Sequence, residues 1–349
     1  MTPDSTLMDN IGMLYQKLNV PYSALFELTY SCAFKCFHCY NTSTRKKELS
    51  TEEVYATLEQ LAALGCLHLT LSGGEPLNRR DCIKIFERAQ SLGFAWNLST
   101  NASCITDEIA DTLKQLHVLE VSTSIFSTKP ETHDRITGVK GSLKNTLKGL
   151  SFLKNHHIRL RIKCLLMKCN LDQYQKIGEL ARSLGATCQF DTNLLPGGQN
   201  NTAILKQRLN NTQLQAVLAN QEVFPIHDQP FSPHANNCSS VLESNQQITC
   251  SAGKSYLGIN PYGDVFPCIH FPEPGGNIKS ITLKEIWGSP VFQSARSMTL
   301  ADTRECLHCS HNQYCARCPG LAHKEDGNLL APSQWACKTA KITKALLNA

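Results

Sequence analysis

Between residues 23 and 191 the chain alternates short apolar runs with amphipathic stretches, and this rhythm restricts its fold more than any other feature. The runs are SALFELTY (23–30), CLHLTLS (66–72), FAWNLST (94–100), VLEVSTSIF (118–126), IRLRIKCLLM (158–167) and ATCQFD (186–191). Short, β-rich apolar segments of this kind suit parallel strands covered on both faces. In STEEVYATLEQLAALG, Ser50 and Glu53 have the spacing of a capping box, Val54, Leu58 and Leu61 share one face, and Gly65 ends the helix. Leu64-Gly65, Leu92-Gly93 and Leu184-Gly185 repeat that glycine stop directly before a strand. Six strands alternating with helices predict a parallel α/β sheet, open or rolled into a partial barrel.

The 349 residues allow two domains, or one with an appendage. Residues 1–22 read as an N-terminal extension and 23–210 as the α/β core. Pro225, Pro230 and Pro233 mark 211–237 as a linker. From 238 to 349 helix and strand signals fade while cysteine reaches eight in 112 residues, so metal is expected to order this segment. The net charge of +5 is spread along the chain and reads as a solvated surface, with no nucleic-acid partner. The N-terminus has no signal-peptide pattern and no stretch is apolar enough to span a membrane, which predicts a cytoplasmic protein. In a reducing compartment the 17 cysteines point to metal or redox chemistry rather than disulfides.

Three thiols crowd TYSCAFKCFHCY, residues 29–40, as Cys32-x3-Cys36-x2-Cys39, where the first strand ends. Zinc closes a tetrahedron with four ligands, and His38 sits directly between two of the thiols, which strains such a site. A 4Fe–4S cube offers another solution, with three irons on thiolates and the fourth left open. At the end of the second strand, LSGGEPL (71–77) forms a turn motif of Gly73, Gly74, Glu75 and Pro76.

The triplet and the GGE turn together resemble the radical S-adenosylmethionine (AdoMet) enzymes. The resemblance implies a partial (β/α)6 TIM-like barrel and a cluster whose open iron is chelated by AdoMet. There AdoMet is cleaved reductively to a 5′-deoxyadenosyl radical that takes hydrogen from a substrate. It also implies that Gly73, Gly74, Glu75 and Pro76 hold the methionine amino group, that His38 faces the adenine, that Ser99, Thr100 and Asn101 lie on the ribose side, and that Ser124 contacts AdoMet. The chain departs from the family pattern at Phe126, where an Asp is usual, and at Thr137, where an Arg follows His133-Asp134. Arg135 and Arg161 are the substitutes expected to grip the AdoMet carboxylate.

The second cysteine field runs Cys250-x12-Gly263-x4-Cys268, then Cys306-x2-Cys309-x5-Cys315-x2-Cys318, then Cys337, with LGINPYGDVFPC (257–268) patterned as a hairpin. Two paired CxxC units would also suit a zinc ribbon. The whole set resembles the SPASM domain, which extends some radical AdoMet enzymes with two auxiliary 4Fe–4S clusters. By position, Cys306, Cys309, Cys315 and Cys337 would hold one cluster, and Cys250, Cys268 and Cys318 the other, with Cys238 as the local candidate for a fourth ligand. Only Ala316 and Arg317 separate Cys315 from Cys318, one residue fewer than the family uses.

The remaining cysteines include Cys66 and Cys188 at strand starts, which read as core. Cys164 and Cys169 lie on a strand running toward the barrel mouth, and Cys164 is a candidate hydrogen-atom donor, as in some peptide epimerases of the superfamily. The resemblance implies an oxidoreductase acting on a peptide or protein side chain by oxidation, cross-linking or epimerisation. Only about 20 residues precede the barrel, so delivery by a separate leader-binding protein is expected, with flavodoxin or ferredoxin as electron donor. Sulfatase-maturing members carry an Asp after the second SPASM cysteine, where Ile269 stands here. A tetrapyrrole side chain in haem biosynthesis is the alternative substrate, and a zinc-binding module without catalysis is the reading outside enzymology.

Overall fold

The computed structural model of the chain describes residues 5–41, 46–198, 201–220 and 250–348. After α1 (Ser5–Leu18), the alternation expected from the sequence runs β1 (Ser23–Thr29), α2 (Thr51–Ala63), β2 (His68–Gly73), α3 (Cys82–Ser91), β3 (Ala95–Ser99), α4 (Asp107–Gln115), β4 (Glu120–Ser124), α5 (Pro130–Thr137), α6 (Ser142–Asn155), β5 (Leu160–Leu165), α7 (Tyr174–Leu184) and β6 (Thr187–Asp191). Then come α8 (Asn211–Leu218), β7 (Tyr256–Ile259), β8 (Asp264–Phe266), β9 (Gly276–Asn277), α9 (Leu283–Trp287), α10 (Pro290–Ser297), α11 (Arg304–Leu307), α12 (Pro319–Asp326) and α13 (Gln334–Leu347).

One nine-stranded sheet orders them β6-β5-β4-β3-β2-β1-β7-β8-β9. Strands β1 to β6 are mutually parallel, β7 adds in parallel to β1, and β8 and β9 are antiparallel. The sheet therefore continues from the α/β core into strands of the cysteine-rich segment. The hairpin expected over 257–268 is present as β7 and β8.

Side chains alternate along each strand, so the sheet sorts its residues between two faces. Phe26, Leu28, Leu69, Leu71, Trp96, Leu98, Val121 and Ile162 are fully buried in the main apolar core beneath the helices. The intervening positions line the other, concave face: Glu27, Thr70, Ser72, Asn97, Ser99, Ser122, Ser124, Arg161, Lys163 and Gln189. That lumen is polar, as a chamber for a charged cofactor must be.

Two expectations need correction. The stretch expected as linker begins with a helix, α8, which a capping box opens: Asn210 Oδ1 accepts from Gln213 N at 2.8 Å and Gln213 Oε1 from Asn210 N at 3.0 Å. Leu214, Val217 and Leu218 bury its inner face. The rest of that stretch, residues 221–237, lies outside the described residues, as does Cys238. Residues 250–348 are also richer in elements than their sequence suggests, because all of their helices but α13 have only four to eight residues and show little periodicity. They fold back on the core: Trp287 Nε1 donates to Asn19 O at 2.8 Å, and Lys338 Nζ to Leu209 O at 2.9 Å.

Candidate active site

The loop carrying Cys32, Cys36 and Cys39 leaves the carboxyl end of β1 and is tied to its neighbours by backbone hydrogen bonds. Gly74 N donates to Thr29 O at 2.7 Å and Glu75 N to Ser31 O at 2.8 Å, which fastens the GGE turn to the start of the loop. Lys35 N donates to Thr137 O at 2.7 Å and Phe37 N to Ile136 O at 3.2 Å, which fastens the loop's middle to the end of α5. A Cβ on Gly73 would come within 2.3 Å of Thr29 O, and one on Gly74 within 2.6 Å of Ser31 O. No side chain fits there, so the glycine pair is required by the approach of two backbones.

Glu75 is wholly buried. Its Oε1 accepts from Thr100 Oγ1 at 2.7 Å and from Leu77 N at 3.2 Å, and its Oε2 from Asn101 N at 2.7 Å. Burial raises its pKa, and the donors from Thr100, Asn101 and Leu77 pull the other way. Thr100 and Asn101 thus serve the Glu75 carboxylate from the end of β3, and Asn101 Nδ2 also reaches Cys32 Sγ at 3.8 Å. Pro76, itself buried, opens a 3-10 turn directly after Glu75. Ser99 faces the lumen, and Ser124 ends β4 with its side chain exposed there.

His38 packs edge-on against Phe126, with ring centroids 4.7 Å apart. Phe126, which departs from the family pattern, therefore touches the residue expected to face the adenine. Burial lowers the His38 pKa to about 4, so the ring is neutral near pH 7, and among the described residues its Nδ1 has no hydrogen-bond partner. A buried nitrogen without a partner costs free energy unless a ligand group meets it. Asp134 caps α6, accepting from Gly141 N at 2.6 Å, Ser142 Oγ at 2.8 Å and Leu143 N at 3.1 Å. Arg161 does not reach for a ligand: its Nε and Nη2 fork onto Glu120.

The thiols fall into three groups. Burial, with Cys39 and Cys32 adding to it, pushes Cys36 up to about 12. Burial, with Cys250 and Cys318 adding, pushes Cys268 up to about 12. Burial, with Cys337, Cys306 and Cys309 adding, pushes Cys315 up to about 11. Cys32 and Cys39 thus stand near Cys36; Cys306, Cys309 and Cys337 stand near Cys315; and Cys250 and Cys318 stand near Cys268 despite the shortened spacing of Cys318. Gly320 explains how. A Cβ there would meet His270 O at 2.9 Å, so only glycine lets the chain after Cys318 lie against the chain after Cys268.

Among the described residues no three His, Cys, Asp or Glu side chains converge on a point that would hold one metal ion. A single zinc needs all its donors within about 2.3 Å. A cube instead takes each thiolate on a different iron. Thiols raised so far by burial are poor thiolates alone, so iron must displace their protons.

Cys164 is not where a hydrogen-atom donor would work. It is 1% exposed and shares the helix-side core, on the opposite face of β5 from Arg161 and Lys163. Cys66 is core as expected, with Sγ 3.4 Å from His68 O. Cys169 and Cys36 both pack against one small apolar cluster of Phe126, Ile136, Met167, Leu194 and Ile204. Sequence reasoning passed over Glu27, which is fully buried and accepts from Tyr30 Oη at 2.7 Å and Tyr40 Oη at 2.8 Å. Its only signal is its alternate position on a strand.

A cluster loop at the mouth of a parallel half-barrel, with a carboxylate turn beside it and two further thiol groups beyond, defines an enzyme that pairs iron–sulfur clusters with a nucleoside cofactor. Residues 26–181 match the radical SAM superfamily and residues 250–319 the SPASM iron–sulfur cluster-binding domain. The AdoMet-dependent heme synthase of Methanosarcina barkeri is 30% identical over 89% of this chain and 95% of that protein. The PqqA peptide cyclase of Rhizobium meliloti is 35% identical over 76% of this chain and 73% of that protein. Streptococcus suis SuiB, solved with its precursor peptide SuiA, superposes with a TM-score of 0.68 at 16% identity, covering 93% of this chain and 78% of SuiB. The chain belongs to the radical SAM superfamily, in the branch that carries a SPASM domain. It is an enzyme whose cofactors are 4Fe–4S clusters and AdoMet. No helix among the described residues is long and apolar enough to cross a membrane.

Proposed function

We propose that the enzyme oxidises, cross-links or epimerises a side chain of a ribosomally made peptide. One cavity carries this reading. It measures about 310 Å³ and is walled by Tyr30 and Tyr40 of the first cysteine loop, Leu195 after β6, Tyr262 and Phe266 of the hairpin, and His270 just after Cys268, with Lys46 and Lys324 also in its wall. The first cluster's loop and the second cysteine field therefore share a chamber. Its volume lies at the small end of ligand sites and suits a side chain or two. The kinship with a peptide cyclase, and the fold shared with a protein solved on its precursor peptide, support the same choice.

In this reading Cys32, Cys36 and Cys39 hold the AdoMet cluster, Cys306, Cys309, Cys315 and Cys337 one auxiliary cluster, and Cys250, Cys268 and Cys318 the other. When bound, the first cluster and AdoMet supply the radical that abstracts hydrogen. The GGE turn and its Thr100 and Asn101 donors fix the carboxylate that meets the cofactor's amino group. His38 and Phe126 form an uncharged wall, and the tyrosines shape the substrate's seat. A separate leader-binding protein and a flavodoxin or ferredoxin reductant complete the scheme.

The tetrapyrrole reading is favoured by a different observation, the alignment with a heme synthase over 95% of that protein. Anaerobic turnover with deuterated substrates separates the two, with Cys36→Ala as the blank that forms no 5′-deoxyadenosine. Deuterium should pass into 5′-deoxyadenosine from a short peptide encoded beside the gene. Transfer from a labelled tetrapyrrole, and none from the peptide, would overturn the proposal.

A further inference from the structure

The middle of the first cysteine loop carries charge and an open aromatic ring that neither the thiol groups nor the substrate chamber uses. Phe37, bonded directly to Cys36, is 38% exposed. Lys35, on the other side of Cys36, is exposed as well. Their backbone N–H groups both donate to the end of α5, Lys35 N to Thr137 O and Phe37 N to Ile136 O, so the pair lies along that helix's last turn. Helix α5 closes at Gly138, whose φ of 70° favours glycine. A Cβ there would come within 2.8 Å of Lys35 O and 3.2 Å of Lys35 Cβ. That approach sets Lys35 against the α5–α6 turn, where Arg135, Lys140 and Lys144 are also exposed. Among the described residues none of these four cations makes a hydrogen bond or an ion pair. The acids of the same stretch do not neutralise them. Asp134 is committed to the start of α6 through Gly141 N, Ser142 Oγ and Leu143 N, and Glu131 stands in the first turn of α5, a turn before Arg135.

We propose that this patch, an exposed ring bordered by free cations, is where an acidic one-electron carrier protein of the flavodoxin type docks. An apolar centre with a charged rim marks a site of protein contact. Charge complementarity selects an acidic partner, and it speeds encounter more than it tightens the complex. That balance suits a carrier that must arrive, give one electron and leave, and such encounters use small surfaces. A partner seated on Lys35 and Phe37 touches the residues on both sides of Cys36. There the carrier gives up one electron, its flavin passing from hydroquinone to semiquinone, and the cluster of Cys32, Cys36 and Cys39, when bound, accepts it. The inference rests on the reading that such a carrier reduces the enzyme, and it is independent of the substrate.

Calorimetric titration of the iron-loaded enzyme with an acidic flavodoxin, repeated as salt rises, tests the surface. It compares wild type with Lys35→Glu, with Lys140→Glu/Lys144→Glu, and with Lys284→Glu, which reverses an exposed charge on α9. Either patch variant should bind flavodoxin about 10-fold more weakly at low salt, as expected when attraction becomes repulsion. The difference should shrink as salt screens it, and Lys284→Glu should bind as wild type does. In Lys140→Glu/Lys144→Glu, AdoMet cleavage driven by dithionite should keep the wild-type rate, while cleavage driven by flavodoxin falls. Unchanged iron content shows that the variants are assembled, and Lys35→Gln replaces Lys35→Glu if that protein fails to load. Wild-type affinity in both patch variants would overturn the proposal. An equal loss in Lys284→Glu would reduce the effect to overall charge and overturn it too. A wild-type enzyme that binds no flavodoxin at low salt would remove the carrier reading itself, and the docking patch with it.

Discussion

The two cysteine regions are built on opposite principles. The Cys32–Cys39 loop is held by backbone hydrogen bonds to β2, to α5 and, through Asn101, to β3, and the main core lies behind those elements. Cys250 and Cys268 instead pack with a small cluster of Ala252, Phe271 and Ala295, and Cys306, Cys309 and Cys315 stand on short turns. In the proposed assignment the first site is a frame that would receive a cluster, whereas the second is a set of turns that a cluster would draw together. A cleavage site that has to aim a radical gains from a rigid frame. An electron-carrying site needs mainly burial and proximity.

Stripping iron from the holoenzyme is the broadest way to break this contrast. Hydrogen exchange should show amides across 250–348 losing about 100-fold or more of their protection, while β1 to β6 change only a few-fold. Uniform loss through both regions would mean that the barrel site is as metal-dependent as the appendage.

A finer probe uses two glycines in matching positions. Gly74→Ala drives a Cβ into the Ser31 carbonyl at 2.6 Å and has only backbone to push against. AdoMet cleavage should fall by about 100-fold, with misplacement of the loop as the cause, while the auxiliary thiols keep their iron. Gly320→Ala presses on His270, whose Cβ lies 2.8 Å from the new methyl. In a loosely held region that strain should cost Cys318 its place, with iron content dropping by about one cube of four irons and AdoMet binding little changed. Iron analysis beside AdoMet titration scores both variants, and a full iron complement in Gly320→Ala would show the second region to be as stiff as the first.

What the sequence disclosed follows the same division. The six strands were legible because each is a local run, and the capping box at Ser50 appears with both arms, Glu53 N on Ser50 Oγ at 3.2 Å and Ser50 N on Glu53 Oε2 at 2.7 Å. The cysteine groups were legible because ligand spacing is local too. Cys164 was misplaced because a strand covered on both faces does not reveal which face is lumen. β7 joining β1 across more than two hundred residues, and Lys163 meeting Ser124 between strands, are matters of register that no local pattern encodes. The bond from Asn101 to Cys32 belongs to the same class. Sequence described the parts of the frame, and pairing decided which parts face the chemistry.

The smallest expected effect tests whether that frame is held by the protein's own charges. Arg79 donates from Nη1 to Leu28 O at 2.8 Å and to Leu49 O at 3.1 Å, which clamps the chain after the GGE turn onto β1. Asp81 orients it with a 2.7 Å ion pair and also accepts from Thr51 Oγ1 at 2.6 Å. The Arg79 hydrogen bond, with Thr51 assisting, holds the Asp81 pKa at about 2 against an ordinary 3.8. A depressed carboxyl pKa stabilises the fold fully above the unfolded value, and that contribution fades as pH falls through 3.8 toward 2. Asp81→Asn should therefore cost about 2 kcal/mol at neutral pH and progressively less below pH 4, read from denaturant midpoints of the iron-free protein. The iron-free form is the informative one, because a frame that stands without metal must still show this pH dependence. A flat difference between variant and wild type from neutral pH to pH 3 would remove Asp81 from the clamp and leave the glycine turn held by backbone alone.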